Sequence, residues 1–355
     1  MSAIRSAVIT GITGQDGAYL ARLLLEKGYR VTGTYRPTSS LNLWRLAELG
    51  INQHPSLHLV AHDLTDLAGC IDLLQVAKPD EVYNLAAQSF VGLSFRQPVS
   101  TAEVTAIGAL NLLEAMRMAA PNARFYQASS SEMFGNSLGE PQDENSPLRP
   151  RSPYAVSKVF AHLSTINYRE AYGLYAVSGV LFNHESPLRG EGFVTRKISI
   201  AVARIAAGLQ DSVSVGNLDA RRDWGYAPEF VEGIHRALQR PSPDDYVLAT
   251  GQSKSVREFA ELAFAAAGIP LRWEGDGVEE RAFDSRDGVL RLQVDSNLYR
   301  PADIDCVIGN PAKASRVLNW NANTDLATLC QIMVAEDLHR LHNERHSIPR
   351  NLPSR

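Results

Sequence analysis

Tyr154 and Lys158, in the run Tyr154-Ala155-Val156-Ser157-Lys158, set a phenol and an ammonium four residues apart. On a helix, positions i and i+4 share a face, so both groups can be aimed at one point. A lysine charge close to a phenol favours the phenolate and lowers its pKa toward neutrality, giving a base for an alcohol proton. Upstream, Phe125-Tyr126-Gln127-Ala128 reads as a strand that delivers Ser129-Ser130-Ser131-Glu132 at its carboxyl end. Hydroxyls and a carboxylate would then stand near the pair. Oxidising an alcohol also needs a hydride acceptor, and the N-terminus offers a place for one.

Ala7-Val8-Ile9-Thr10 reads as a short buried strand running into Gly11-Ile12-Thr13-Gly14-Gln15-Asp16-Gly17. A helical pattern follows from Ala18 to Lys27, Gly28 stops it, and Arg30 to Tyr35 read as a second strand. Strand, glycine turn, helix and strand is the setting in which such a turn binds a dinucleotide pyrophosphate. Gly11 permits the tight turn, Gly14 lets backbone approach phosphate, and Gly17 lets helix pack on strand. An NAD site usually carries Asp or Glu at the end of the second strand, for the ribose 2′-hydroxyl. Here Thr34-Tyr35-Arg36-Pro37-Thr38-Ser39-Ser40 carries no acid. Arg36 can pair with a 2′-phosphate, and Ser39 or Ser40 can add donors, which favours NADP(H). Asp63 follows the third expected strand and suits an adenine contact.

These groups need a scaffold, and the pattern supplies one. Further strands are expected at Leu57–Ala61, Glu81–Ala86, Ala123–Ser129 and Ala176–Phe182, with helices at Asp66–Ala77, Thr101–Ala119 and Tyr154–Tyr172. That alternation predicts an α/β fold with a doubly wound parallel sheet of Rossmann type. Gly and Pro interrupt the second half more often, which predicts a smaller, irregular α/β substrate domain over the carboxyl ends of the strands. We expect the dinucleotide domain in residues 1–185 plus about 220–250, and the substrate domain in 186–219 plus about 251–340. Residues 345–355, polar with two prolines, read as a loose tail.

The 355 residues are 45% apolar and 21% charged, as in an ordinary globular enzyme. Net charge is 35 − 39 = −4, so no global basic field argues for nucleic acid. Cys70, Cys306 and Cys330 are odd in number and lack C-x-x-C spacing, which fits thiols in a reducing compartment and no metal site. No signal segment and no run of about 20 apolar residues is present, so no membrane is expected and the cytoplasm is the expected location.

Thr10-Gly11-x-x-Gly14-x-x-Gly17 with Tyr154-x-x-x-Lys158 resembles the extended short-chain dehydrogenase/reductase family. Longer strings resemble the GDP-mannose 4,6-dehydratases: Gly11 to Leu20, Tyr126 to Ser129, Arg151 to Val156, Leu181 to Pro187, Phe193 to Lys197, Arg222 to Gly225 and Tyr299 to Ala302. The likeness runs from about residue 3 to about residue 340. It implies redox-neutral dehydration of a GDP-hexose with tightly held NADP. In that scheme Tyr154 takes the O4 proton, Ser130 bonds O4, Glu132 removes the C5 proton and helps the C6 hydroxyl leave, and Lys158 holds the cofactor ribose. The cofactor set becomes Gly11, Gly14, Gln15, Asp16, Gly17, Arg36, Asp63, Leu64, Lys158, His184 and Arg189. The substrate set becomes Ser89, Glu132, Tyr154, Asn183, Val194, Lys197, Arg222, Arg300 and Asp303. The family also implies a homo-oligomer, dimer or tetramer, with Arg36 to Arg45 reaching a neighbour.

This chain departs from the family pattern at three places. Ser130 stands where the family has Thr, Pro37 where it has a second Arg, and Asp303 where it commonly has Glu. From its neighbours alone, His184 reads as a hydrogen-bonded loop histidine and His162 as a satisfied core or interface residue. Trp224 reads as packing. Other readings are a GDP-heptose 4,6-dehydratase, a 4-reductase or epimerase of GDP-4-keto-sugars, and a catalytically silent NADP sensor. A reductase or epimerase needs no carboxylate at C5, so Glu132 argues for dehydration.

Overall fold

Ser6–Thr10 is buried at every position and forms an interior strand of the sheet, β1. Around it the computed structural model describes residues 4–38, 42–136, 140–299 and 304–347. β2 (Arg30–Tyr35) and β3 (Leu57–Ala61) extend the sheet to one side of β1; β4 (Glu81–Asn84), β5 (Arg124–Ser130) and β6 (Ala176–Leu181) extend it to the other. A seventh strand, Tyr246–Leu248, closes the edge beyond β6, and every pairing is parallel. The doubly wound α/β fold expected from the sequence is present. The sequence reading missed that seventh strand, because three buried residues are too few to show a period.

Strand order reverses between β1 and β4, and open α/β sheets bind ligands at such a switch point, beyond the carboxyl ends. Buried polar side chains lock those ends together. The Thr10 hydroxyl donates to Asn84 Oδ1 (2.7 Å), and Asn84 Nδ2 donates to Gln127 Oε1 (2.8 Å). Gln127 Nε2 then donates to the Ala128 carbonyl (3.0 Å). A side-chain ladder therefore runs from β1 across β4 to β5. The Ala86 amide turns back onto the Thr10 hydroxyl (3.2 Å), so β4 stops at Asn84, short of its expected end.

The helix Pro153–Tyr172 starts where its caps dictate. Ser152 accepts from the Ala155 amide, Pro153 occupies the first turn, and Gly173 closes the helix at φ 67°. The helix expected at Thr101–Ala119 begins instead at Pro98 and carries a π-helical turn at Glu103–Ile107. That irregular stretch brings Thr101 and Thr105 to Gln88: Gln88 Nε2 donates to Thr101 Oγ1, and the Gln88 amide to Thr105 Oγ1. The turn before Ser89 is thereby braced.

The chain divides into two units, Met1–His184 with Arg222–Ser253 and Ala302–Asn323, and Glu185–Arg221 with Lys254–Pro301 and Thr324–Arg355. The stretch after residue 303 does not follow the expected boundary of 251–340. Its backbone binds the first unit: the Gln142 amide donates to the Ile308 carbonyl and the Asn310 amide to that of Gln142, both at 2.8 Å. Ile304 and Val307 pack with Met133, Phe134 and Phe182, and the Trp320 indole donates to the Glu229 carbonyl. In the second unit, helices Val194–Ala206, Val256–Ala266 and Leu326–Ser347 pack together beside a four-stranded sheet. A buried Arg196–Asp337 ion pair ties the first of these helices to the last. No helix among the described residues is long and apolar enough to cross a membrane.

Candidate active site

Gly11 sits at φ 69°, a conformation costly for any residue with a side chain, and a Cβ there would meet Ala86 backbone at 2.9 Å. Gly17 lies where the helix Gln15–Glu26 crosses the turn, and a Cβ would come within 2.4 Å of the Gly11 carbonyl oxygen. The Gly14 amide closes the turn onto Gly11 O at 3.0 Å. Gly14 is the N-cap and offers no side chain, so the first helical turn keeps its dipole and amides for an anionic ligand. This cradle suits a pyrophosphate.

Gln15 and Asp16 hold protein as well as facing that cradle. Asp16 Oδ1 lies 3.0 Å from His184 Nε2 and accepts from Gln15 Nε2 at the same distance. Gln15 Nε2 also reaches the His184 carbonyl, while His184 Nδ1 donates to the Phe182 carbonyl at 2.6 Å. The imidazole stacks on Phe230 with centroids 4.6 Å apart. His184 is hydrogen-bonded as expected, but it sits in the short strand Asn183–Glu185 and not in a loop; it moors that strand, just past the end of β6, to the glycine turn.

Lys158 is the electrostatic centre. Its ammonium is buried and donates to the Ala128 carbonyl at 2.7 Å, the same oxygen that accepts from Gln127. Lys158 Nζ also stands 5.8 Å from the centroid of the Tyr154 ring, so one helix face presents both groups. Ser130, two residues beyond Ala128, caps the short helix Ser131–Phe134, its oxygen accepting from the Glu132 amide (3.3 Å). Buried Met133 and Phe134 anchor that turn and fix where Glu132 begins. Lys158, on the helix that carries Tyr154, is thus bonded to the strand that ends at Ser130, with Glu132 in the adjoining turn. His162, one helical turn past Lys158, bonds Ser129 Oγ at 3.1 Å and is a satisfied core residue.

Around this centre, Arg36 follows β2 and is exposed. Asp63 Oδ1 accepts from the Thr65 amide and hydroxyl, and these bonds hold its carboxyl below the usual range. Leu64 is buried, its carbonyl accepting from Asn111. Ser89 is exposed after β4. Arg222 is buried and donates to the Ile304 carbonyl at 2.7 Å. In the second unit, Val194 and Lys197 open the helix Val194–Ala206, both half-buried, and Arg189 forms an ion pair with Glu185, Nε to carboxylate oxygen at 3.1 Å. Arg300 and Asp303, like Ser39 and Ser40, lie outside the described residues.

One cation escaped the sequence reading as a local group. Arg45 Nη1 donates to the Thr13 carbonyl at 3.0 Å, inside the glycine turn of its own chain. A single arginine on the five-residue helix Trp44–Glu48 carries no spacing signal that could have announced this.

A family model described as GDP-mannose 4,6 dehydratase matches residues 8–333. The GDP-mannose 4,6-dehydratase of Sinorhizobium fredii (strain HH103) is 48% identical over 344 residues, covering 96% of this chain and 98% of that protein. The chain belongs to the GDP-mannose 4,6-dehydratase family. Two solved structures share its fold at low identity. RMD from Pseudomonas aeruginosa complexed with NADPH has a TM-score of 0.73 at 23% identity, covering 95% of this chain and 98% of that one. DesIV, a dTDP-glucose 4,6-dehydratase from Streptomyces venezuelae with NAD and TYD bound, has a TM-score of 0.79 at 22% identity, covering 96% and 98%.

Burial pushes the Lys158 ammonium down to about 8, with Asp16 opposing the fall. In the unfolded chain the amine titrates near about 10.4. Between these values the unfolded state binds the extra proton, so stability rises with pH through that window and is lost as pH falls through the folded value. Denaturation of the cofactor-stripped protein should show this rise relative to Lys158→Met. Parallel stability curves for the two proteins from about pH 8 to about pH 10 would contradict it.

Proposed function

We propose that the chain converts GDP-mannose to GDP-4-keto-6-deoxymannose, with NADP as the resident cofactor. The observation that carries this reading is the Lys158 ammonium on the Ala128 carbonyl, which joins the helix of Tyr154 to the strand end bearing Ser130 and Glu132. Membership of the family supports the substrate. Gly11, Gly14 and Gly17 would admit the pyrophosphate, Asp63 and Leu64 the adenosine, and Arg36 and Arg45 the 2′-phosphate. When bound, the nicotinamide supplies a hydride acceptor for C4 that later serves as donor to C6.

The protein's own groups do the rest. Tyr154, favoured as phenolate by Lys158, takes the proton from O4, and the Ser130 hydroxyl bonds that oxygen as it becomes a carbonyl. A C4 ketone acidifies the C5 hydrogen. Glu132 removes it and returns a proton to the departing C6 hydroxyl, which leaves as water. Atoms balance as the loss of one water with no net change in cofactor. Ser89 contacts the hexose. For the nucleotide end we assign Asn183, Val194, Lys197, Arg222, Arg300 and Asp303, with Arg189, oriented by Glu185, meeting cofactor phosphate.

We also propose that the chain works as a homo-oligomer. Val156, Phe160 and Leu163 stand 55%, 42% and 51% exposed at i, i+4 and i+7 of the helix Pro153–Tyr172. Val99 and Ile107, on elements packed against that helix, are exposed as well. A stripe of this kind on the helix that carries the catalytic pair suits the same stripe of a second copy.

Incubated with GDP-mannose, the protein should give a product lighter by one water, seen by mass spectrometry, without net consumption of NADP. An unchanged sugar nucleotide would refute the reading. Glu132→Gln should bind NADP and GDP-mannose normally yet lose water at least about a hundredfold more slowly; wild-type turnover would remove Glu132 from the chemistry. Arg36→Ala and Arg45→Ala should each weaken NADP more than NAD, by about tenfold for a lost charge-assisted bond. Equal loss for both cofactors, read by fluorescence titration, would reassign those arginines. Phe160→Asp should lower the mass seen by light scattering, and an unchanged mass would place the subunit contact elsewhere.

A further inference from the structure

We propose that Asp223 is a positioning residue for substrate recognition, its buried carboxylate gathering three chain segments into the frame that aims Arg222 at the nucleotide. The inference rests on the reading, given above, that Arg222 binds the GDP group. Asp223 is fully buried and directly follows Arg222. Its Oδ1 accepts from the Thr250 amide at 2.8 Å and the Thr250 hydroxyl at 2.7 Å. Its Oδ2 accepts from the Gly251 amide at 2.9 Å and the Gly309 amide at 3.2 Å. Four neutral donors saturate both oxygens, so the charge is dispersed over backbone dipoles. Burial raises the carboxyl above its ordinary range, and the four bonds work against that rise.

The geometry around Arg222 shows what this arrangement does. Arg222 Nη1 donates to the Ile304 carbonyl, so two adjacent residues grip the segment Ile304 to Gly309 at both ends. That segment packs through Ile304 and Val307 on Phe134, two residues beyond Glu132. In sequence it directly follows Arg300 to Asp303, which the family likeness assigns to the nucleotide. A buried carboxylate that only stabilised the fold could bond anywhere in the core. This one, next in sequence to the proposed substrate cation, holds Thr250, Gly251 and Gly309, the last in the same segment whose other end Arg222 grips.

Asn at position 223 would keep the shape but can accept at one oxygen only, leaving one pair of donors facing an NH₂ group. For Asp223→Asn we expect GDP affinity by calorimetry to fall about tenfold and KM for GDP-mannose to rise alike, with NADP affinity and kcat within about twofold. Unchanged GDP affinity, or parallel loss of GDP and NADP binding, would overturn the proposal. If Asp223→Asn does not fold, Thr250→Val removes a single donor and should weaken GDP about threefold, NADP unaffected; no change there also overturns it. Arg222→Met separates the two claims. If it binds GDP as tightly as the parent, the assignment of Arg222 fails. If it loses GDP while Asp223→Asn does not, only the positioning role falls.

Discussion

One ammonium on one carbonyl holds this candidate site together. Lys158 is the sole buried lysine among the described residues, and the backbone oxygen it grips belongs to β5, two residues before Ser130. A buried ammonium is costly to desolvate, and burial accordingly draws its pKa down. The contact with Ala128 offsets part of that cost and fixes the side chain at its tip. The helix Pro153–Tyr172 is then registered against β5, and the register decides where Tyr154 stands relative to Ser130. Geometry between acid–base groups on separate elements has to be rigid to be useful.

The contact is itself braced. Ala128 O also accepts from Gln127, which accepts from Asn84, which accepts from Thr10. Thus the oxygen that orients Lys158 is connected by buried hydrogen bonds to the strand that opens the glycine turn. In a low-dielectric interior such a chain is strong when complete and costly when broken. The strand leading into the glycine turn and Lys158 belong to one polar network, and the strand order that creates the switch point also brings its members into reach.

The parts legible in the sequence were those with a local signal. β1, the glycine turn and β2 announce themselves through a buried run, three spaced glycines and a stop at Gly28. Tyr154 and Lys158 announce themselves through helical spacing, and Ser152 and Pro153 mark where that helix begins. The Thr10–Asn84–Gln127 ladder could not be read, because its members come from strands 74 and 43 residues apart and each looks like an ordinary polar residue. The seventh strand was too short to show a pattern, and the return of residues 304–323 to the first unit depends on bonds with Gln142, Asp223 and Glu229. Arg45 is one charge on a short helix, placed by tertiary packing.

The departures from the family pattern also have a physical account. Ser130 lacks the methyl that would restrict a threonine rotamer. Its oxygen, however, accepts from the Glu132 amide as the N-cap of the turn, so a local bond does the orienting that branching would have done. With the lone pair directed at that amide, the hydroxyl proton is left to point elsewhere, as a donor to a sugar oxygen must. Pro37 removes a side-chain cation beside Arg36, yet proline also fixes the backbone where the chain leaves β2. Seven residues later Trp44 and Arg45 stack, cation over ring at 4.6 Å, and the guanidinium reaches the Thr13 carbonyl. A positive group therefore returns to the glycine turn from a different point in the chain. The requirement imposed by an anionic cofactor is charge at a place in space, and two sequences can satisfy it from different positions.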